Sequence, residues 1–401
     1  MSRYVINNSP EFTGQLLSGV TEQIRRELPT MISIMEREYP PRSDYQLDSL
    51  GNKKKRYSIY TGSGGNLYFY YNLYTKYSSE YKSCLEEAII ANLNSCQSNR
   101  NTTLGFLTGR SGIYAITAAA SKTIKYVEDL CRDENLIPES ENELLNGLAG
   151  YIYSIIFIID RWSDVPLRED LIALLNRTVD ELVRRGNNYG MLKYEWPIGR
   201  GKYYLGGAHG SIGVIMMLLQ SRKYLQNHYD HVIRDTLRYL LSLRFPSGNF
   251  PSSEGKTRDD LVHFCHGATG AVPMLCQAFL AFQDQNYLDA AIRAGNVIWE
   301  RGLIKKGKGV CHGISGNGYA FLSLYKATLD NLWLYRAQCF ADKMLNDQNL
   351  NREIENYEDS QRLVTGMPDR PFSLMEGLAG NILFYLDLLN PQEAKFPAYE
   401  I

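Results

Sequence analysis

Hydrophobic and polar positions alternate between two textures along this chain. One is apolar nearly all round. Ile113-Tyr114-Ala115-Ile116, Tyr151-Ile152-Tyr153, Val214-Ile215-Met216-Met217, Tyr319-Ala320-Phe321-Leu322 and Ile382-Leu383-Phe384-Tyr385 read as buried helices. The other is amphipathic. Leu171, Leu175, Val179, Leu182 and Val183 recur at three- and four-residue steps, and Gly186 follows as a C-terminal stop. Similar helices are predicted over about 13–37, 80–97, 122–133, 230–244, 286–301 and 332–347.

Seven Gly-x-x-Gly elements punctuate this alternation: Gly62–Gly65, Gly109–Gly112, Gly147–Gly150, Gly210–Gly213, Gly267–Gly270, Gly313–Gly316 and Gly377–Gly380. Their spacing of about 38 to 64 residues lies in the range of structural repeats. Seven inner apolar helices alternating with seven outer amphipathic ones predict an all-α fold, an (α/α)7 toroid with two helix layers. Strand signals are scarce. We expect one domain over 1–401, with 1–57 as an N-terminal helical arm and loop and 58–401 as the core repeats. The glycines allow close backbone approach where inner helices begin, and open N–H groups there would favour an anionic ligand.

Length alone would permit two or three domains in 401 residues, and the repeat is what argues for one. Net charge is −1, so no basic field recruits nucleic acid. The longest apolar stretch, Tyr151 to Ile159, falls well short of the roughly 20 residues a membrane span needs. Met1-Ser2-Arg3-Tyr4 lacks a signal-peptide core, and the seven cysteines are an odd number. Reduced intracellular thiols and a cytoplasmic location are therefore expected, and peripheral attachment at the plasma membrane stays open.

Thr61, Thr108, Asn146, His209, His266, His312 and Glu376 stand just before the seven elements, which puts polar groups around a common centre. Two of these loops read Cys265-His266-Gly267 and Cys311-His312-Gly313. We assign Cys265, Cys311 and His312 as ligands of one Zn2+, a set that leaves a fourth position for water or substrate. A single Cys-His pair would read as buried core, the usual fate of free cysteine. Two pairs in register within a repeat reverse that reading. His266 is weighed as a fourth ligand against a packing role, because adjacent residues at a helix start rarely both reach one metal. His209, in the matching slot one repeat earlier, is the candidate general acid/base, with helix capping as the plain alternative. Lys305, Lys306 and Lys308 suit either an acidic ligand or a solvated loop.

The stretches Gly206-Gly207-Ala208-His209-Gly210, His263-Phe264-Cys265-His266-Gly267, Lys305-Lys306-Gly307-Lys308-Gly309-Val310-Cys311-His312-Gly313 and Pro371-Phe372-Ser373-Leu374-Met375-Glu376-Gly377 carry a further signal. Together with the terminal Phe396-Pro397-Ala398-Tyr399-Glu400, they make the chain resemble the eukaryotic LanC-like proteins, relatives of the bacterial lanthipeptide cyclases. The resemblance runs from about residue 58 to the end and is weaker in the N-terminal arm.

That resemblance implies zinc on Cys265, Cys311 and His312, and glutathione bound at the zinc. It implies addition of the glutathione thiol to dehydroalanine or dehydrobutyrine residues of proteins, with kinases as candidate partners. His209 matches the acid/base histidine, Lys306 a lysine near glutathione, and Arg3 an N-terminal arginine that contacts it. Thr108-Gly109-Arg110 departs from a Cys-Gly-Asp pattern. Gly366 stands where an arginine holding glutathione is expected, and Arg370 is the substitute considered. A non-catalytic adaptor that binds zinc and glutathione is the alternative reading.

Overall fold

A computed structural model of the protein describes residues 2–47, 53–54, 57–97, 103–196, 201–365 and 370–401. Seven helices line the centre: α2 (Ser63–Asn72), α4 (Arg110–Ser121), α6 (Leu148–Arg161), α8 (Ser211–Ser221), α10 (Ala268–Phe282), α12 (Ile314–Thr328) and α15 (Leu378–Leu389). Each packs on the next, and α15 returns to α2, so the ring closes. Seven more form the outer layer: α1 (Ser18–Glu38), α3 (Lys82–Gln97), α5 (Ile124–Arg132), α7 (Arg168–Gly186), α9 (Asp230–Ser242), α11 (Gln285–Arg301) and α13 (Asn331–Asn346). The textures match the layers. In α6 every residue from Leu148 to Ile159 is buried, whereas α7 buries one stripe through Leu171, Leu175, Val179 and Leu182.

Each outer helix packs against the inner helix that precedes it, with one exception. Helix α1 buries Val20, Ile24, Leu28, Ile32 and Met35 and covers α15, so the first helix of the chain completes the last hairpin of the ring. An additional helix, α14 (Gln348–Thr365), was not anticipated from the hydrophobic pattern. Among the described residues, strand is confined to two short antiparallel pairs, β1 (Gln46–Leu47) with β2 (Lys53–Lys54) and β3 (Asn187–Asn188) with β4 (Met191–Leu192).

The first glycine of every Gly-x-x-Gly element is the residue preceding an inner helix. At the second glycine, contact explains the missing side chain. A Cβ on Gly112, Gly150, Gly213, Gly316 or Gly380 would stand 1.9–2.2 Å from the carbonyl oxygen six residues earlier. The loop therefore folds back against the first helical turn. Its carbonyls accept from the opening amides: Leu148 N–H donates to Glu141 at 2.9 Å, Ser211 to Tyr204 at 3.2 Å, Ile314 to Gly307 at 3.1 Å and Leu378 to Pro371 at 2.8 Å. These helix ends are capped by their own chain, which corrects the expectation that they lie open to an anion.

The C-terminal residues close the ring from within. Phe396 and Tyr399 are fully buried, and the Tyr399 hydroxyl donates to the Gly270 carbonyl at 2.8 Å. Both rings pack on Phe264, at centroid distances of 4.8 and 4.9 Å. Glu400 pairs with Lys326 at 3.2 Å and accepts from the Phe396 amide at 2.9 Å.

A methyl group at position 316 would stand 1.9 Å from backbone, where nothing flexible can yield. We expect Gly316→Ala to destabilise the fold by about 1–3 kcal/mol. Gly19, with open space around it, supplies the control: Gly19→Ala should be neutral or stabilising by up to about 1 kcal/mol. Urea unfolding of the two variants checks both signs.

Candidate functional site

The loops that precede the inner helices meet through their backbones. Cys265 N–H donates to the Cys311 carbonyl at 3.3 Å, Cys311 to Met375 at 2.7 Å, Met375 to Tyr60 at 3.2 Å, and Tyr60 to Leu107 at 2.9 Å. Each donor stands two residues before a helix-capping glycine and bonds its counterpart in a neighbouring repeat. This circuit fixes where the side chains on those loops begin, and it sets the two cysteines side by side.

The ligating atoms of Cys265, Cys311 and His312 all lie within 4.8 Å of one another. A tetrahedral zinc with bonds near 2.3 Å to sulfur needs sulfurs roughly 3.8 Å apart, so small side-chain adjustments suffice for these residues to hold the ion. The donor set is soft, and thiolate plus imidazole suits Zn2+ better than a hard cation. The two thiols share charge unequally. The Cys265 thiol is held below the usual range, first by its hydrogen bond with Cys311, while Cys311 is pushed well up by Cys265 and by burial.

Two further groups surround the thiols. His263 Nδ1 lies 3.2 Å from Cys265 Sγ, and the Tyr60 hydroxyl hydrogen-bonds Cys311. His266 does not join the ligand group. Its ring sits between Tyr204 and His263, and burial, with the positive charges of nearby groups, lowers its pKa to about 3.

His209 faces the same centre. Its Nδ1 is 3.4 Å from Glu143 Oε2, and Trp196 packs edge-on against the ring at 4.7 Å. Burial works against protonation, yet the Glu143 carboxylate and then Cys311 carry the imidazole above its ordinary value. Glu143 is itself 4 % exposed and accepts from the Leu145 amide at 2.6 Å and from the Asn146 amide at 2.9 Å. The Asn146 side chain in turn accepts from Thr108 Oγ1 at 2.8 Å. Two of the polar slots thus support a carboxylate that the slot pattern did not reveal. Its position in the loop ahead of Gly147 was the available signal, as was that of His263 ahead of Gly267.

Lys306 is half-buried, and its charge acts on Cys265, His263 and His312. The Arg3 carbonyl accepts from the Lys305 amide at 2.9 Å, so the N-terminal segment runs beside this loop. The Arg3 side chain lies 3.5 Å from Asp260, and its charge also reaches His263. Arg370 lies in the loop leading to α15, where its carbonyl accepts from the Ser373 amide at 3.0 Å. Arg110 is committed elsewhere, its guanidinium held by the buried Asp133 at 2.5 to 3.1 Å. Gly366 lies outside the described residues. Among the described residues, no helix is long and apolar enough to cross a membrane.

Comparison with known proteins places this geometry in context. A family model described as lanthionine synthetase C-like protein matches residues 53–401. A zebrafish (Danio rerio) protein named glutathione S-transferase LANCL1 is 34 % identical over 363 residues, 85 % of this chain and 84 % of that protein. The LanC-like protein GCL1 of Arabidopsis thaliana is 35 % identical over 265 residues, 65 % of this chain and 58 % of its own length. Among solved structures, nisin cyclase superposes with a TM-score of 0.60 at 15 % identity, covering 91 % of this chain and 94 % of its own. This last likeness concerns the α/α toroid alone.

The His209–Glu143 pair makes a pH-dependent prediction. A folded-state pKa above that of an unfolded histidine means the pair stabilises the fold fully below the unfolded value, and that the contribution fades as pH rises through the folded one. Glu143→Gln should lower the His209 midpoint in a histidine-labelled NMR titration. A midpoint that does not move would assign the shift to some other group.

Proposed function

The chain belongs to the lanthionine synthetase C-like family, and we propose that it is a zinc-dependent glutathione transferase acting on dehydroalanine and dehydrobutyrine residues of proteins. One observation carries this reading: the soft trio Cys265, Cys311 and His312 shares its basin with a histidine whose pKa a buried carboxylate raises. A structural zinc site would need a fourth protein ligand, and His266 stands outside the group. The name of the zebrafish relative supports glutathione as the thiol.

Zinc on these three residues would bind a thiol and favour its deprotonation at neutral pH. Everything else falls to the chain's own groups. Lys306 and Arg3, on neighbouring segments, supply cations for the two carboxylates of glutathione. As the thiolate sulfur bonds the β-carbon, the π electrons of the unsaturated residue move towards its carbonyl oxygen. Protonated His209 then delivers a proton to the α-carbon, where the enolate's electron pair forms the new C–H bond and the charge is balanced. Glu143 favours the charged form of the imidazole, and Trp196 packs against the ring. His263 and Tyr60 hydrogen-bond the sulfurs and moderate their electron donation. Proteins carrying dehydroamino acids are the partners that this chemistry requires.

Mass spectrometry of a dehydrobutyrine peptide incubated with protein, zinc and glutathione tests the assignment. His209→Asn should keep its zinc and lose about 10²- to 10⁴-fold in rate. Cys311→Ala should lose both metal and adduct. Lys306→Ala should raise the KM for glutathione about tenfold or more, the effect of one charge-assisted hydrogen bond. A wild type that binds zinc and glutathione yet forms no adduct would refute catalysis and leave a binding protein.

A further inference from the structure

Away from the basin, the outer helices α9 and α11 flank an open groove of about 390 Å³. Arg234 and Arg238 line it from successive turns of α9, Arg244 from just beyond that helix, and Arg293 from α11. Two aspartates share the lining. Asp284 caps α11 by accepting from the Asn286 amide at 3.0 Å, and Asp289 accepts from Gln285 at 2.9 Å.

Arg238 pairs with Asp235 at 2.7 Å. The other three arginines form no ion pair with a carboxylate among the described residues. Arg244 donates only to the Leu241 carbonyl, at 3.1 Å, and it is half-buried against the like charge of Arg293. Arg234 lies 3.9 Å over the Phe282 ring, which holds its fork in place. Other arginines near these helices are paired: Arg177 with Glu134, Arg185 with Glu181 and Arg222 with Asp230, at 2.6 to 2.7 Å. Three guanidiniums without a carboxylate partner among the described residues thus line one groove.

We propose that the groove is a phosphoryl-binding site that docks a phosphorylated segment of a protein partner. Two mutually repelling guanidiniums are satisfied together by one dianion with three acceptor oxygens, whereas a carboxylate neutralises only one of them. The open shape admits a chain running through it. Asp284 and Asp289 disfavour a uniform polyanion such as nucleic acid and suit a basic residue flanking the phosphate.

Fluorescence anisotropy of the full chain with a labelled degenerate library of peptides centred on phosphoserine provides the test. The phosphorylated library should bind at least about tenfold more tightly than the same library with serine or glutamate at the centre. Arg244→Glu with Arg293→Glu should remove that binding. Arg293 is exposed, so the single Arg293→Gln variant, expected to weaken binding severalfold, guards against misfolding of the double variant. Equal binding of the three libraries, no binding at all, or no effect of Arg293→Gln would overturn the proposal. So would inorganic phosphate competing as tightly as the phosphopeptides, which would identify a small-anion site.

Discussion

The structure depends on one steric constraint: at the start of each inner helix the preceding loop folds back until its carbonyls touch the first turn. Glycine at the third helical position makes room for a carbonyl that a Cβ on Gly316 would meet at 1.9 Å. That approach satisfies opening amides of α6, α8, α12 and α15 with backbone carbonyls, while at α10 Asn249 Oδ1 accepts from the Ala268 amide at 2.8 Å. The loops then bond one another from Cys265 through Cys311, Met375 and Tyr60 to Leu107. A metal site built on two such loops inherits its spacing from the backbone, not from flexible side chains. This is why a cysteine pair separated by 46 residues can be both close and preorganised.

The same constraint decides what the sequence can disclose. Glycine is demanded by local contact, so seven repeated Gly-x-x-Gly elements reveal seven inner helices, and the apolar and amphipathic textures separate the layers. Cys265, Cys311 and His312 are legible because they occupy equivalent places in that register. Glu143, His263 and Tyr60 are harder to see because they stand one to three residues upstream of the polar slots. Their roles follow from how the loops curl back, which spacing alone does not encode. Arg110 shows the opposite difficulty. It stands beside a slot, yet its side chain turns outward to the buried Asp133. The pairing of α1 with α15 is also hidden, since an amphipathic helix does not announce which distant inner helix it covers.

Beneath the centre, the packing gives the terminal segment a part in the site. Phe264 immediately precedes Cys265, and its ring rests on Phe396 and Tyr399. Tyr399 is anchored in turn by its bond to the Gly270 carbonyl, in the first turn of α10. The floor under Cys265, a candidate metal ligand, is therefore contributed by the last residues described. Removing aromatic volume there would leave a cavity directly behind Cys265, and the lost contacts would be felt at the metal before they were felt at the outer layer.

Charge is partitioned across the basin with the same economy. His266 and His263 are kept neutral by burial and by positive neighbours, so they add no net charge beside the thiols. His209 is steered the other way, because the loop ahead of α6 presents Glu143 with its oxygens already ordered by backbone amides. Without those amides the carboxylate would pay more for its burial and would be a weaker partner for the imidazole. The acid/base proposal therefore rests on a peptide backbone two repeats away from Cys265 and three from Cys311 and His312. A substitution in the 143–146 loop would act on the protonation of His209 while leaving the cysteine geometry intact, so the proposed metal binding and proton transfer are separable by mutation.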